Sequence, residues 1–408
     1  MILLLYFSIP SMLFILTAGS SLAMGLMVVL LLITALIAVR TPIPLRLNRP
    51  QTFWLIAAIT SIGLLLPRST PAEVVKQIGG AVALTLAFVM TNVLIWYCHD
   101  KPAQLRRMIT VSFTFFVVIA LFNKAVPLTP GRYALLNHPM FPFGEPSHFS
   151  LALFPILLTA AAIARKSIRV MIILGTMVTA LLVPSTTLAM AAVITAAITV
   201  SRRILIMLPI GALLLVGAAA VAPDYFKERL LLDTESNNLS SLIYLQGLLS
   251  AQNGVLDTHG LGYGFLRLGT EPPNEATELI ELIAGNTFNR LDGGFLAAKI
   301  IAEFGVAGLV MLAWMSLVAI RALVQLAHLY QLALHERRQH VWQAFRLAAQ
   351  AAILLELYIR GYGYFSPGFL LFMACFSFGD QRSPRMAAPA LPASKVDPMP
   401  RRNTEGLA

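Results

Sequence analysis

Long runs of apolar residues that contain no charge follow one another along most of this chain, and they constrain its fold more than any other feature. Several such runs have 18 or more residues, and about 20 apolar residues in a helix cross the hydrocarbon core of a bilayer. Only 12% of the 408 residues are charged, which is about half the share found in soluble proteins. The sequence therefore predicts an all-α polytopic membrane protein.

The apolar runs predict about twelve transmembrane helices. Their approximate bounds are 2–18, 21–39, 52–67, 74–97, 108–123, 148–164, 170–184, 186–200, 204–222, 294–320, 344–360 and 364–379. The first run lacks a basic segment before it and an A-x-A site after it, which favours a span over a cleaved signal peptide. Cys98 and Cys375 fall at or within predicted spans, so no disulfide framework is expected.

The positions of Lys and Arg predict the orientation, because basic residues in short loops stay in the cytoplasm. Alternating the loops puts 20 of the 30 basic residues on the side of both termini and 10 on the other side. Both termini are therefore expected in the cytoplasm. The same rule accounts for the net charge of +11, so no nucleic-acid partner is needed to explain it.

This assignment divides the chain into five regions. They are an N-terminal transmembrane bundle, a central transmembrane region with an outer segment at 124–147, a large periplasmic loop, C-terminal transmembrane helices and a cytoplasmic tail. In that order they cover 1–123, 124–222, 223–293, 294–380 and 381–408. The tail is rich in Pro, Ala and Arg, a composition typical of disorder.

The periplasmic loop at 223–293 is the only long polar segment between predicted spans, and it holds ten of the 19 acidic residues. The leucines from Leu242 to Leu249 have helical spacing. A second short helix is predicted between Asn274, as its N-terminal cap, and Gly285, where it ends. These helices either pack against the protein or lie on the membrane surface or over a cavity.

Ionisable residues gather just before the sixth span, in Glu145-Pro146-Ser147-His148. Pro146 suits the first turn of a helix, where its missing N–H needs no partner. Glu145 is then expected at the positive end of a helix at the membrane surface. One interpretation is a carboxylate that stabilises the helix end. The other is a catalytic base beside a histidine that can carry a proton.

Two pairs of opposite charges fall four residues apart in predicted spans. Lys299 can pair with Glu303, and Glu356 can pair with Arg360. Ionisable groups inside a membrane are costly unless they are paired or face a wet cavity, so they are candidate functional residues. A structural ion pair that fixes the helix is the alternative.

Four arginines on the predicted outer side run against the tendency of basic residues to stay inside: Arg132, Arg229, Arg290 and Arg360. A planar guanidinium binds two phosphate oxygens at once. A cluster of these side chains would suit a lipid-linked diphosphate whose sugar projects from the bilayer.

Other motifs give weaker predictions. The Gly-rich stretch at 259–264 lacks the strand–helix context of a dinucleotide fold, so it is either a tight loop or a turn that contacts phosphate or sugar. The chain has no Cys and His set at zinc spacing, no P-loop and no G-x-S-x-G motif. No metal and no cofactor are predicted.

Three segments within residues 124–320 carry a family resemblance. They are FGEPSHFSLALFP, SSLIYLQGLLSAQNGVLDTHGLGYGF and RLDGGFLAAKIIAEFGVAGL. They are similar to the superfamily of O-antigen polymerases (Wzy-type) and O-antigen ligases, whose Glu-x-Gly-x-x-Gly pattern matches Glu303, Gly305 and Gly308. Ligases of this family commonly carry a His in the polar turn before that span. This turn, at 289–294, has none, which favours a polymerase.

The resemblance implies a metal-independent, GT-C-like glycosyltransferase at the periplasmic face of the bacterial inner membrane. It would transfer a glycan from undecaprenyl diphosphate to the acceptor sugar of another lipid-linked repeat unit and so build O-antigen or exopolysaccharide. A chain-length regulator is a possible protein partner. One alternative is an O-antigen ligase, which transfers the glycan to lipid A–core. An alternative of another class is a flippase or transporter of lipid-linked sugars.

Such a transfer needs a base for the acceptor hydroxyl and positive charge for the leaving diphosphate. Glu145 is the first choice of base, His148 would orient it or share the proton, and Asp292 is the second choice. The residues expected on the diphosphate are Arg132, Arg229, Arg290 and Arg360. Those expected on sugar hydroxyls are Asn137, His138, Tyr244 and Gln246.

Overall fold

The architecture is helical throughout the part of the chain that the structure describes. The computed structural model describes residues 1–17, 22–41, 70–126, 128–130, 132–133, 140–183, 185–200, 238–285 and 290–378. The regular elements in these ranges are α-helices, apart from a short 3₁₀ turn at 132–133 and an isolated bridge between Met140 and Phe143. The all-α prediction is confirmed for these residues. Residues Met1–Ser377 form one compact unit, and the five predicted regions remain predictions.

Thirteen helices lie in the described ranges. They are α1 (Ile2–Leu16), α2 (Leu22–Ala38), α3 (Pro71–Asp100), α4 (Pro102–Ala125), α5 (Pro146–Ile163), α6 (Lys166–Leu182), α7 (Thr186–Val200), α8 (Leu239–Leu256), α9 (Glu275–Ala284), α10 (Leu296–Leu329), α11 (Leu334–Gln339), α12 (Val341–Tyr358) and α13 (Pro367–Ser377). Ten of the twelve predicted spans coincide with one of these helices. The other two, at 52–67 and 204–222, lie outside the described residues.

Four described helices, α3, α4, α5 and α10, are long and apolar enough to cross a membrane. Helices α1, α2, α7 and α13 are shorter but apolar too. Large apolar side chains are exposed at the periphery, among them Leu31, Val118, Met171 and Val310. Such surfaces are unfavourable in water and suit contact with lipid. These helices indicate a membrane-embedded protein.

Helix α12 lies at the centre of the bundle, where it packs against α10, α5 and α13. It is buried along most of its length, although Gln350 and Glu356 interrupt its apolar surface. A helix that protein surrounds on all sides is buried all round and has no solvent face. Helix α5 is enclosed in the same way from Phe149 to Ile163. These two helices form the core that carries the candidate site.

Two buried arginines close the C-terminal end of α5. Arg169 Nε donates to the carbonyl of Ala161 at 3.0 Å, and Arg337 Nη1 donates to the carbonyl of Ala162 at 3.1 Å. The last carbonyls of a helix have no partner within it, and its C-terminus carries partial negative charge. Helix α5 has no basic residue in its own last turn. Side chains from α6 and α11 therefore supply the positive charge that fixes it.

The two helices predicted within the 223–293 loop are both present. Helix α8 covers the leucine repeat, and α9 runs from Glu275 to Ala284. The Asn274 side chain accepts the N–H of Thr277 at 3.0 Å, and Gly285 ends the helix with a φ of 69°. Both boundary predictions are confirmed. Helix α8 packs along α10 and against α9, which agrees with the packing alternative.

Helix α10 is broken at Gly305, whose φ of 57° and ψ of −130° are not helical. The segment 257–270, called the Gly-rich loop below, packs against this break. Across it, the N–H of Val306 donates to the carbonyl of Gly260 at 2.9 Å. Non-helical backbone at membrane depth is tolerated where protein covers it. The loop provides that cover.

The glycines of the 259–264 stretch are required for this contact. The N–H of Gly264 donates to the carbonyl of Glu303 at 2.8 Å. A Cβ on Gly262 would lie 2.5 Å from the same carbonyl oxygen, and its φ of +79° also disfavours a side chain. The tight-loop interpretation is therefore sufficient for this motif, because its backbone is used against α10.

Candidate functional site

Glu145 and Arg360 form the centre of the candidate site. Arg360 Nε and Nη2 each lie 2.9 Å from Glu145 Oε1. His148 Nε2 lies 3.1 Å from the same oxygen, and the hydroxyl of Ser147 donates to it as well. These four residues are called the Glu145 cluster below. The side chain of Glu145 is 35% exposed and that of Arg360 is 14% exposed, so the cluster is accessible from one side.

The N-terminus of α5 carries this carboxylate, as the sequence predicts. The helix begins at Pro146, and Glu145 is its N-cap residue in an extended conformation. Its side chain makes no hydrogen bond to the backbone N–H groups of the first turn. The helix end still favours negative charge there, but the carboxylate is directed to Arg360. Glu145 is therefore more than a local helix cap.

The charge of Glu145 is stabilised by its neighbours. Burial alone would raise its pKa, but the guanidinium of Arg360, His148 and the hydroxyl of Ser147 outweigh that effect. Together they hold the pKa of Glu145 well below its usual range. The group is thus a carboxylate at neutral pH. It is also a weak base for as long as Arg360 occupies it, because a base of low pKa takes up a proton poorly.

Aromatic packing fixes the turn at 140–145 that leads to Glu145. The ring centroid of Phe143 lies 5.9 Å from that of Phe116 on α4 and 5.8 Å from that of Phe149 on α5. Each such pair contributes roughly 0.5–1.5 kcal/mol beyond its buried area. The hydroxyl of Tyr133 also donates to a carbonyl of the turn at 2.7 Å. The carboxylate is therefore held by a rigid apolar support.

The segment 359–366, called the Arg360 loop below, joins α12 to α13 and contacts the Glu145 cluster on one side. It supplies Arg360 itself. Two residues further on, the ring of Tyr362 lies against the imidazole of His148, with centroids 3.7 Å apart. Tyr362 and Arg360, both from this loop, therefore hold the side chains of His148 and Glu145 in place.

The other side of the Arg360 loop contacts α10 and the turn before it. The N–H of Gly361 donates to the carbonyl of Gly294 at 3.1 Å. The ring of Tyr364 lies beneath Lys299, whose Nζ is 5.4 Å from the ring centroid, a distance at which a cation and an aromatic face attract. The loop thus connects the two polar regions that the sequence singles out.

Asp292 lies between Lys299 and the Arg360 loop. Its Oδ1 lies 2.7 Å from the position that a Cβ on Gly363 would take, and the side chain of Lys299 borders the same point. Burial raises the pKa of Asp292, while the positive charges of Lys299 and Arg360 oppose that rise. The predicted second base therefore lies within the electrostatic range of the arginine that binds the first.

Lys299 and Glu303 form the buried ion pair that their spacing predicts. Nζ lies 3.0 Å from Oε1, and the side chains are 4% and 0% exposed. The same oxygen accepts the N–H of Leu268 in the Gly-rich loop at 3.3 Å, and Lys299 also donates to the carbonyl of Leu291. The pair therefore fixes α10, the Gly-rich loop and the turn at 290–295 to one another.

Glu356 and Arg360, the second pair at this spacing, do not bind each other. The helix ends at Tyr358, and Arg360 turns to Glu145. The buried carboxylate of Glu356 instead accepts the hydroxyl of Ser366. The pairing expected from spacing fails because the helix stops before its second member.

The chain matches no family model, no curated protein and no solved structure. Its chemistry is therefore inferred from the side chains of the site. Within the described ranges, no group of three or more His, Cys, Asp or Glu side chains could hold a metal ion. The groups that the site offers are carboxylates, a guanidinium, an ammonium, an imidazole and two phenols.

The predicted diphosphate ligands occupy different positions. Arg360 is in the Glu145 cluster, whereas Arg290 donates to the backbone carbonyl of Glu271. Arg132 is exposed in a short helical turn. Arg229 lies outside the described residues, as do the predicted sugar ligands Asn137 and His138.

The other two predicted sugar ligands lie on α8. The ring of Tyr244 stacks on Phe295 with centroids 4.2 Å apart, and its hydroxyl donates to the carbonyl of Tyr358 at 3.0 Å. Gln246 is buried and donates to the hydroxyl of Thr277 on α9 at 2.9 Å. Both side chains take part in packing, and their contact with sugar stays a prediction.

Sequence reasoning missed the role of the Arg360 loop. The sequence singles out Arg360 but assigns no role to Tyr362 or Tyr364, since tyrosines are common at a membrane interface. The available signal was the repeat Arg360-Gly-Tyr-Gly-Tyr itself. Alternating glycines let the chain approach its neighbours closely on one side while aromatic side chains project between them.

The arrangement can bind an anion at Arg360 and accept a proton at Glu145, His148 or Asp292.

Proposed function

We propose that this protein is a glycan polymerase of the bacterial inner membrane, with twelve spans, both termini in the cytoplasm and its site at the periplasmic face. It transfers a glycan from undecaprenyl diphosphate to the acceptor sugar of another lipid-linked repeat unit. The observation that carries the proposal is the contact of Glu145 with both Arg360 and His148. An anion-binding group and a proton acceptor lie side by side at the end of a buried apolar helix, as a lipid-linked phosphate ester requires.

The proposed reaction is a substitution at the anomeric carbon of the donor sugar. The acceptor hydroxyl oxygen forms the new C–O bond, and the bond from that carbon to the diphosphate oxygen breaks. Arg360 turns from Glu145 to the diphosphate, and the freed carboxylate takes up the hydroxyl proton, with His148 sharing it. Arg360 stabilises the charge that develops on the leaving diphosphate. Undecaprenyl diphosphate is released, and the glycan is longer by one unit.

Three further charged groups support this arrangement. Lys299 extends the positive field on the side of α10, and Arg290 and Arg132 are the other predicted diphosphate ligands that the structure describes. Asp292 is the alternative proton acceptor, since burial raises its pKa and a carboxyl of raised pKa is a better base. Glu145 remains the first choice because it contacts both Arg360 and His148.

The test uses purified full-length protein in lipid nanodiscs with an undecaprenyl-diphosphate repeat unit as the only sugar substrate. The expected result is a ladder of lipid-linked products. Arg360→Ala and Glu145→Gln should each slow its formation by about 100-fold, the usual range for the loss of one charge-stabilising group or general base. Arg338→Ala and Glu281→Gln are the matched controls, because both residues are exposed and remote in sequence from the site.

Other outcomes identify the alternatives. A product that forms only after lipid A–core is added indicates a ligase. Unchanged ladders in both site variants would remove the Glu145 cluster from the mechanism.

One observation favours a transporter as the second candidate. Helix α10 is interrupted at Gly305 beside the buried pair of Lys299 and Glu303, and broken helices next to charged groups are typical of transport proteins. Vesicles that carry a fluorescent lipid-linked sugar in one leaflet distinguish the two functions. Translocation without any product ladder would support the transporter and contradict the polymerase.

A further inference from the structure

Glu356 is a buried carboxylate that the proposed reaction does not use. Its side chain lies within the core, 3% exposed, on the helix that precedes the Arg360 loop. A carboxylate at such a position is costly unless it is paired, and its expected partner, Arg360, contacts Glu145 instead. The group therefore needs another explanation.

The contacts of Glu356 lie at the far end of the Arg360 loop. Its Oε2 accepts the hydroxyl of Ser366, whose oxygen in turn accepts the N–H of Phe369 at 2.9 Å. Ser366 directly precedes α13 and Phe369 lies in its first turn, where the partial positive charge of the helix favours an anion. A residue ten positions earlier in the chain thus binds the point where the loop ends. This contact holds the end of α12 against the start of α13, on either side of the loop.

Gly368 shows that the backbone is shaped around this carboxylate. A Cβ on Gly368 would lie 1.9 Å from Oε1 of Glu356, and the three nearest atoms all belong to that carboxylate group. Glycine is unfavourable within a helix, by about 1 kcal/mol relative to alanine. Its presence at this position makes room for Glu356.

We propose that Glu356 is a positioning residue, which closes the Arg360 loop against α13 and so holds Arg360 and Tyr362 on Glu145 and His148. The pocket next to the cluster supports this, because Glu356, His148 and Tyr362 all line it. The role in activity rests on the proposed function. The closure of the loop does not.

The test measures backbone hydrogen exchange of the full-length protein in nanodiscs. Glu356→Ala should speed exchange of residues 359–366 about tenfold or more, as expected when the buried hydroxyl of Ser366 loses its hydrogen-bond acceptor. Glu356→Gln keeps an acceptor and should retain most of the protection. Gly368→Ala should speed exchange as well, because its Cβ displaces the carboxylate, while Gly175→Ala is the control in open space.

A double variant and a kinetic readout complete the design. In Glu356→Ala, adding Gly368→Ala should have no further effect, because the carboxylate that it displaces is gone. In the polymerisation assay, Glu356→Ala should raise the KM for the lipid-linked unit about tenfold, and Glu356→Gln should restore it, because the loop holds the residue that binds the diphosphate.

The outcomes are distinguishable. Wild-type exchange at 359–366 in both Glu356→Ala and Gly368→Ala would overturn the proposal, as would equal acceleration across all helices. Faster local exchange in a protein that makes no polymer would support the closure of the loop and contradict the proposed function.

Discussion

Arg360 places Nε and Nη2 each 2.9 Å from one oxygen of Glu145, although 215 residues separate the two in sequence. The ion pair joins the N-terminus of α5 to the loop after α12. It therefore connects two buried helices at the place where polar side chains replace apolar ones.

A double-mutant cycle on this pair should show coupling in stability. Glu145→Gln and Arg360→Gln should each lower the thermal midpoint. The loss of unfolding free energy in the double variant should be smaller than the sum of the two single losses by about 1 kcal/mol, the range for a partly exposed ion pair. Thermal unfolding in nanodiscs provides the measurement. The control cycle joins Glu145→Gln with Arg267→Gln, whose partner is Glu73. Additive effects within the Glu145 and Arg360 cycle would contradict a direct interaction.

Replacing one member of the buried pair on α10 should be more damaging. Glu303→Gln leaves Lys299 charged without its counter-ion in a site that is almost fully buried, which should cost about 3–5 kcal/mol. Lys299→Met combined with Glu303→Leu should be less destabilising than Glu303→Gln alone, because neither member of the pair is then left buried without the other. Chemical denaturation by a mild ionic detergent gives the ranking. The reverse order would show that the pair is solvated.

Alanine at Gly262 should destabilise the Gly-rich loop. The added Cβ would meet the carbonyl oxygen of Glu303 at 2.5 Å, and the φ of +79° is costly for alanine by about 1 kcal/mol or more. The matched control is Gly175→Ala in α6, where no atom lies within 4 Å and where alanine should stabilise the helix. The thermal midpoints should therefore move in opposite directions. Equal shifts would mean that the loop is not packed on α10.

The pH dependence of stability should reveal Asp292. Its pKa in the folded protein is raised, so its ionisation costs stability at neutral pH. Asp292→Asn should therefore raise the thermal midpoint at pH 7. The gain should shrink as the pH falls towards about 4, the ordinary value for an unfolded aspartate, because the wild-type carboxyl is then protonated as well. A gain that grew at low pH would show that the pKa of Asp292 in the folded protein is lowered and not raised.

The sequence predicts helices well where the signal is local. Apolar runs, Asn274 as a cap, Gly285 as a stop and Pro146 in a first turn all act within a few residues of where they stand. The spacing of Lys299 and Glu303 predicts their contact for the same reason. These features depend on helix geometry alone.

The composition of the site could be predicted only in part, because its contacts are long-range. The spacing of four residues predicts that Arg360 pairs with Glu356, but α12 ends between the two. No local sequence rule predicts that Arg360 binds Glu145 instead. The stacking of Tyr362 on His148 likewise depends on how α5 and α12 pack. Helix packing, which joins distant segments, decides which polar groups meet.

The backbone contacts between the Gly-rich loop and the break in α10 have a consequence for engineering. The N–H of Gly264 donates to the carbonyl of Glu303, and the carbonyl of Gly260 accepts the N–H of Val306. The loop and the helix on either side of Gly305 therefore satisfy each other's backbone hydrogen bonds. A chimera that exchanges only the loop with that of another protein would leave the broken helix without matching backbone partners. The smallest transplantable module is therefore residues 238–329, with the loop and the helix moved as one.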